Sequence, residues 1–425
     1  MAGKDPVFFP WVQKWIVPAG LQDVVLESRI KQNTVYFTLG NANYASMYFA
    51  GLLPVFGLSA VKNKGTKRIA FGILSVAMFI CLIFTYSRVG IVMLFVVLLS
   101  GAWMCRKIWT KYWKKCLICL AGAVIVFVVS DGMTGFRFGE RILLTVQSFT
   151  EKRTNCDLEE LYTKQDGIYF TLHGVSVKMY ARYGLGEADT LQLVQNDGKN
   201  ISDSYNENTG EIAVPGLEEV SIFTEELDGE SVLFFCLGET VFRFVKDTDN
   251  GYLYYTGNGK YDTIEPVQQF GFRGMEHMAS GRFYIWSRTL PMLKKYGLFG
   301  CGEDNFYLHY PQNDYLGKAQ YCSNPLTVIE KPHNTYLLIA VQNGIPALLF
   351  LLLLYCLYFK ESLKLYSGKS CYDSRQWTGL IIFLFSIGYM AGYLFVDSSV
   401  NISPLFWVLL GMGKRCNEEL FEKGN

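Results

Sequence analysis

At 425 residues, half of them hydrophobic and 16% aromatic, the chain is long enough for two or three domains. Its formal net charge of +1 leaves no electrostatic footprint for nucleic acid, and no nucleic-acid partner is expected. The apolar residues are clustered, as in a membrane protein, and not spread as over one large soluble core.

Residues 1–41 carry no charged-then-apolar signal peptide and read as an extracytoplasmic or interfacial amino-terminal segment. Four charge-free windows follow within 42–130: Ala42–Val61, Ile69–Ser87, Val89–Cys105 and Cys116–Ser130. Three more, Thr335–Phe359, Gln376–Val396 and Ser398–Gly413, lie within 335–413. A spanning helix needs about 20 apolar residues, with about 17 tolerated, so the windows predict a mainly α polytopic membrane protein with about seven transmembrane helices.

Lysine and arginine set the orientation. Lys62, Lys64, Lys67 and Arg68 form one basic cluster, and Arg106, Lys107, Lys111, Lys114 and Lys115 a second. Lys360, Lys364, Lys369 and Arg375 form a third, followed by Lys414 and Arg415. All fall on one side of a seven-span arrangement, which with the tail 414–425 is expected to be cytoplasmic. The stretch 131–334 then becomes a large extracytoplasmic loop. Residues 1–41 would also start outside with no earlier span, so the chain reads as an amino-terminally shortened form.

Inside that loop, 151–270 changes character. "GIYFTLHG", "VSVKMYAR", "TLQLVQ", "SVLFFCL", "TVFRFVK" and "GYLYYTG" alternate with turn clusters such as "NDGKN" and "DTDNG". They predict an inserted extracytoplasmic β-rich domain, a packing or spacer module ahead of a carbohydrate-contacting one. His173 there reads as a surface or core histidine.

Residues 271–334 read as catalytic-loop helices. In "SGRFYIWSRTLPMLKKYG", Ser280 is the expected cap, and Phe283, Trp286, Leu290 and Leu293 form one stripe. Arg282, Arg288, Lys294 and Lys295 lie away from it, as in a helix on a membrane surface with its cations among head groups. Gly300-Cys301-Gly302 lacks the Lys-Ser/Thr ending of a phosphate loop, so no nucleotide site is assigned.

Eleven cysteines show no metal-ligand spacing, and Cys116 and Cys119 form a CxxC inside an apolar run, a poor place for redox chemistry. Cys156, Cys236, Cys301 and Cys322 fall on the oxidising side, with no readable pairing. Neither a metal nor another cofactor is expected.

Three groups carry the candidate chemistry. Arg88 stands between two apolar windows opposite the basic clusters, where an arginine is costly; it either snorkels to head groups or offers a guanidinium fork to a lipid-borne phosphate. His333, beside the helix-capping Asn334, is placed to take a proton from a hydroxyl; His309 and His277 are weaker candidates. Topology puts Arg88, Arg282, Arg288, His333 and the polar "GNAN" (40–43), with Asn41 and Asn43, at one outer membrane level. Cations and one base suit a diphosphate-bearing donor and a hydroxyl acceptor.

At these residues the sequence resembles the O-antigen ligase family, polytopic glycosyltransferases that include related polymerases. "GNANYASMYFAGLLPV", "TYSRVGIVMLFVVLL", "GRFYIWSRTLPMLKKYGLFGCGEDNF" and "KPHNTYLLIAVQNGIPALLFLLLL" occur in family order. The resemblance implies transfer of a glycan from an undecaprenyl-diphosphate carrier to a glycan or glycolipid acceptor, at the outer face of the cytoplasmic membrane. It implies His333 as the essential base and Arg88 and Arg282 as diphosphate ligands; Arg288 joins them from its neighbourhood alone.

Three other readings compete. A polymerase would extend the same lipid-linked glycan, differing only in the acceptor. A membrane-anchored glycan-binding protein would use the β-rich insertion without catalysis. A transporter would place charges deep inside its spans, and the apolar windows contain none.

Overall fold

The computed structural model describes Lys14 and residues 39–147, 154–181, 191–227, 229–247, 249–257, 259–322 and 324–424. Most of the segment expected over 1–41 therefore lies outside the described residues. In chain order come α1 (Ala42–Lys62), α2 (Gly65–Phe84), α3 (Arg88–Met104), α4 (Arg106–Gly132) and α5 (Arg137–Gln147). Nine strands follow, β1 (Leu158–Lys164), β2 (Gly167–Leu172), β3 (Val175–Ala181), β4 (Leu191–Gln195), β5 (Val220–Leu227), β6 (Glu230–Leu237), β7 (Thr240–Asp247), β8 (Gly251–Gly257) and β9 (Lys260–Asp262). The helices resume as α6 (Arg282–Thr289), α7 (Tyr315–Cys322), α8 (Thr335–Gln342), α9 (Ile345–Tyr366), α10 (Ser374–Gly392) and α11 (Ser403–Gly424). The chain divides into a helical unit (Met1–Gln147, His333–Ile339, Pro346–Asn425) and a β-rich unit (Ser148–Pro332, Ala340–Ile345).

In the helical unit α1, α2, α4 and α9 are long and apolar enough to cross a membrane, and α3 is a shorter apolar helix. Only 11% of the apolar window of α2 or α4 is buried against protein, so these helices leave their apolar surface for lipid. The expectation of seven spans is corrected to four such helices plus a short one among the described residues. Two features account for the difference. The helix α10 begins with Ser374, Arg375 and Gln376 and is mostly buried, while the second half of α11 carries Lys414, Arg415, Glu418, Glu419 and Glu422.

A separate difference, which leaves the span count unchanged, is a break inside the window Thr335–Phe359. The helix α8 stops at Gln342 and α9 starts at Ile345. Gly344 between them has φ +94, and a Cβ there would run into the backbone carbonyl of Leu298. Only glycine fits both demands. The Ile345 amide donates to Gly297 O at 2.7 Å, and Pro346 sits in the first turn of α9, where its missing N–H costs nothing. An apolar run cannot reveal this stop, because hydropathy is blind to backbone angle.

The β-rich unit holds two antiparallel sheets, ordered β1-β2-β3-β4 and β5-β6-β7-β8-β9. Alternation along β3, with Val177, Met179 and Ala181 buried, points one face inward as a period of two requires. Phe170 of the first sheet and Phe235, Phe242 and Tyr254 of the second join one apolar core. His173 and Gly174 both take positive φ in the β2–β3 hairpin, as a two-residue turn matching strand twist demands. All eleven cysteines are free thiols.

Candidate active site

Antiparallel helices sort their ends into two groups. At one end Lys62 Nζ reaches Ser374 O at 3.3 Å, Arg106 Nη1 donates to Ser367 Oγ at 2.9 Å, and the Tyr372 hydroxyl donates to Met104 O at 3.1 Å. These bonds gather the basic connections α1–α2, α3–α4 and α9–α10. The opposite end collects the start of α1, the α2–α3 turn, the end of α4, the start of α8 and the α10–α11 turn.

At that opposite end, Thr335 ties the entry of α8 to the exit of α10. Its amide donates to Tyr393 O at 2.9 Å and its hydroxyl to Val396 O at 2.7 Å. Asn334 Oδ1 accepts from the Leu337 amide at 3.0 Å, capping α8. His333, just before, is held at φ +53, a left-handed conformation that costs energy in any residue with a Cβ. Its Nδ1 lies 2.8 Å from Asp397 Oδ2. The Asp397 side chain is 3% exposed and the imidazole 52%, so the carboxylate is sunk below a ring that reaches outward. Facing an ionised carboxylate, Nδ1 is the donor, and in a neutral ring that leaves the lone pair on Nε2.

The α2–α3 turn stands beside the start of α1. Asn41 caps α1 by accepting from the Asn43 amide at 2.8 Å. Ser87 donates to Asn43 Oδ1 at 2.8 Å, and Ser46 donates to Ser87 Oγ at 2.9 Å. Gly90 permits this approach, since a Cβ there would stand 2.7 Å from that of Ser46. The next residue of α1, Tyr44, lies in electrostatic range of Asp397 and in hydrogen-bond range of Ser399. The first turn of α1 thus links the Ser87–Arg88 turn on one side with the His333–Asp397 pair on the other. Arg88 opens α3 half-buried.

The β-rich unit places the other two arginines differently. Arg282 begins α6, with Gly281 as its cap at φ +78 and not Ser280; its Nη1 donates to Ala279 O at 3.0 Å. Arg288 was expected on an outer face of that helix and is instead buried. Its Nε donates to Asp314 Oδ2 at 2.9 Å and its Nη1 to Gln269 Oε1 at 2.7 Å. Burial works against the charge, but Asp314 outweighs it and holds the guanidinium above its ordinary pKa. The surface-helix expectation fails here because Tyr284, Ile285, Ser287 and Thr289 are buried with it. Arg288 is committed to the core and is not carried forward as a phosphate ligand.

Sequence reasoning passed over Asp397. The signal was present: it is the lone charge between the windows Gln376–Val396 and Ser398–Gly413, the same kind of position that singled out Arg88.

A helical membrane protein with a β-rich region, carrying a histidine–carboxylate pair beside an arginine turn, is the class these features define. Residues 236–352 match the family model described as O-Antigen ligase, a likeness that supports glycan processing of the O-antigen ligase or polymerase kind. The match takes in Arg282, His333 and Asn334, while Arg88 and Asp397 lie outside its bounds. No curated protein and no solved structure matches the chain.

Proposed function

We propose that the chain transfers a glycan from an undecaprenyl-diphosphate carrier to an acceptor hydroxyl at the outer face of the cytoplasmic membrane. The observation that carries the reading is the outward imidazole of His333 seated on buried Asp397 at 2.8 Å, at the helix end opposite the basic connections. In this mechanism the acceptor oxygen attacks the anomeric carbon while Nε2 of His333 takes its proton. The bond from that carbon to the diphosphate oxygen breaks, and the diphosphate stays on its lipid. Asp397 holds the ring in one tautomer and stands beside the imidazolium that proton uptake creates. Arg88 meets the diphosphate charge, which grows as the bond breaks; Arg282 is assigned the same role on the resemblance. Sorting of the basic clusters to the other helix end supports an extracytoplasmic site by the positive-inside rule.

The test is complementation of a strain lacking its own surface-glycan ligase or polymerase. Wild type should restore the surface glycan, and His333→Ala should lower transfer about 10³-fold or more at equal membrane abundance, the scale of losing an essential general base. Equal restoration by both would reject the catalytic role and leave a binding protein.

A further inference from the structure

Close to Arg88 sits a second arginine to which no role has been given. The amphipathic helix α5 follows α4 through a tight turn, and Asp131, 2% exposed, caps it by accepting from the Phe138 and Gly139 amides, both at 2.9 Å. Phe138 and Ile142 then pack against Ile83 and Tyr86 with Phe79, Ile91 and Phe127. Between these anchors, one turn on from Phe138, Arg141 reaches back across the helix end. Its Nη1 donates to Tyr86 O at 2.9 Å. Tyr86 is itself held at φ +51, two residues before Arg88. Arg141 thus reaches the backbone of the turn that leads into Arg88, and the two like charges act on each other electrostatically. A buried cap, an apolar anchor and a backbone bond together hold Arg141 at the turn before Arg88, and an anion touching both cations would offset their repulsion.

We infer that Arg141 and Arg88 form a two-arginine fork for the diphosphate of a prenyl-linked lipid. The inference rests on the donor reading above and names a further binding residue for it. One guanidinium suffices for a monophosphate, whereas two, carried on separate elements, match two linked phosphates. Phosphates of bulk lipid head groups offer the same chemistry at the same depth, so the test separates them.

The full chain is placed in nanodiscs of phosphatidylcholine, and binding of farnesyl diphosphate and farnesyl monophosphate is measured for wild type, Arg88→Gln, Arg141→Gln and Arg141→Lys. Arg141→Gln should weaken the diphosphate about 10- to 100-fold, the worth of one hydrogen bond to a charged group, and the monophosphate far less. Arg141→Lys should fall between. The Arg88→Gln/Arg141→Gln double variant should lose less than the sum of the single losses. Glutamine can still donate toward Tyr86 O, and an unchanged unfolding temperature for Arg141→Gln checks that the fold holds. Loss of affinity with Arg88→Gln but none with Arg141→Gln overturns the fork and leaves the donor reading standing. No farnesyl diphosphate binding by wild type overturns both. If Arg141→Gln instead removes only a stabilisation conferred by adding phosphatidylglycerol, the residue is a head-group contact and the fork is rejected.

Discussion

In the helical unit Ile69, Ile73, Phe95, Leu99, Ile118 and Ile125 are all more than half exposed, whereas in the β-rich unit Phe170, Phe235, Phe242 and Tyr254 are 1% exposed or less. One unit turns its apolar atoms outward to a lipid solvent and the other turns them inward away from water. The charges invert in the same way. Arg288, Asp314 and Lys318 are shut inside the β-rich unit at 9%, 8% and 2% exposure, while Arg88 is partly exposed and Arg141 and His333 are exposed at one helix end. Burial with a dedicated partner makes an ionic group part of the scaffold; partial exposure lets an ionic group reach a ligand from solvent or lipid.

Three perturbations put that contrast at risk. The largest effect is expected for Asp314→Ala, which strands a buried guanidinium and should cost about 3–5 kcal/mol in denaturant unfolding. An Arg288→Met/Asp314→Leu chain should recover most of the loss, since the pair is scaffold. A harmless Asp314→Ala would place the ion pair in function instead. Next comes Asp397→Asn, expected to lower the transfer rate about 10²-fold or more through the wrong histidine tautomer, with little change in acceptor KM. Unimpaired turnover would make Asp397 one more structural carboxylate and erase the distinction between the two ends of the comparison.

The smallest effect concerns Lys318. Burial pushes its pKa from 10.5 down to about 8, against the pull of Asp314. Below pH 8 folded and unfolded states both carry the proton, and the folded state bears the cost of holding it. Between about 8 and 10.5 the folded state releases the proton first, so this group's contribution to stability rises with pH. Lys318→Met should therefore stabilise the chain by about 1–3 kcal/mol at neutral pH. That gain should shrink as pH climbs through the window, read by unfolding at fixed ionic strength. A gain independent of pH would mean that the ammonium is not desolvated.

The legible features were those set by local pattern. Charge-free windows marked α1 to α3 to within a few residues, and runs such as "VSVKMYAR" and "TVFRFVK" marked β3 and β7. The lone arginine between two windows pointed to Arg88, and Asn334 was readable as a cap. What failed depended on contacts distant in sequence. The stripe on "FYIWSRTL" has the look of a surface helix, yet Asp314 from a later segment draws Arg288 inward. The run through "LLIAVQNGIPALL" looks continuous, yet Gly344 bends it against Leu298.

By itself the sequence determined that this is a membrane-embedded chain with a β-rich insertion, because hydropathy and alternation are properties of neighbours along the backbone. It also determined which few polar residues stand at the rims of apolar segments, since charge is too costly to place there by accident. The tertiary structure alone decided that Asp397 lies under His333 and that Arg141 reaches the turn before Arg88. Those pairings join residues 64 and 55 positions apart, and only the packing of helices into one bundle sets such distances.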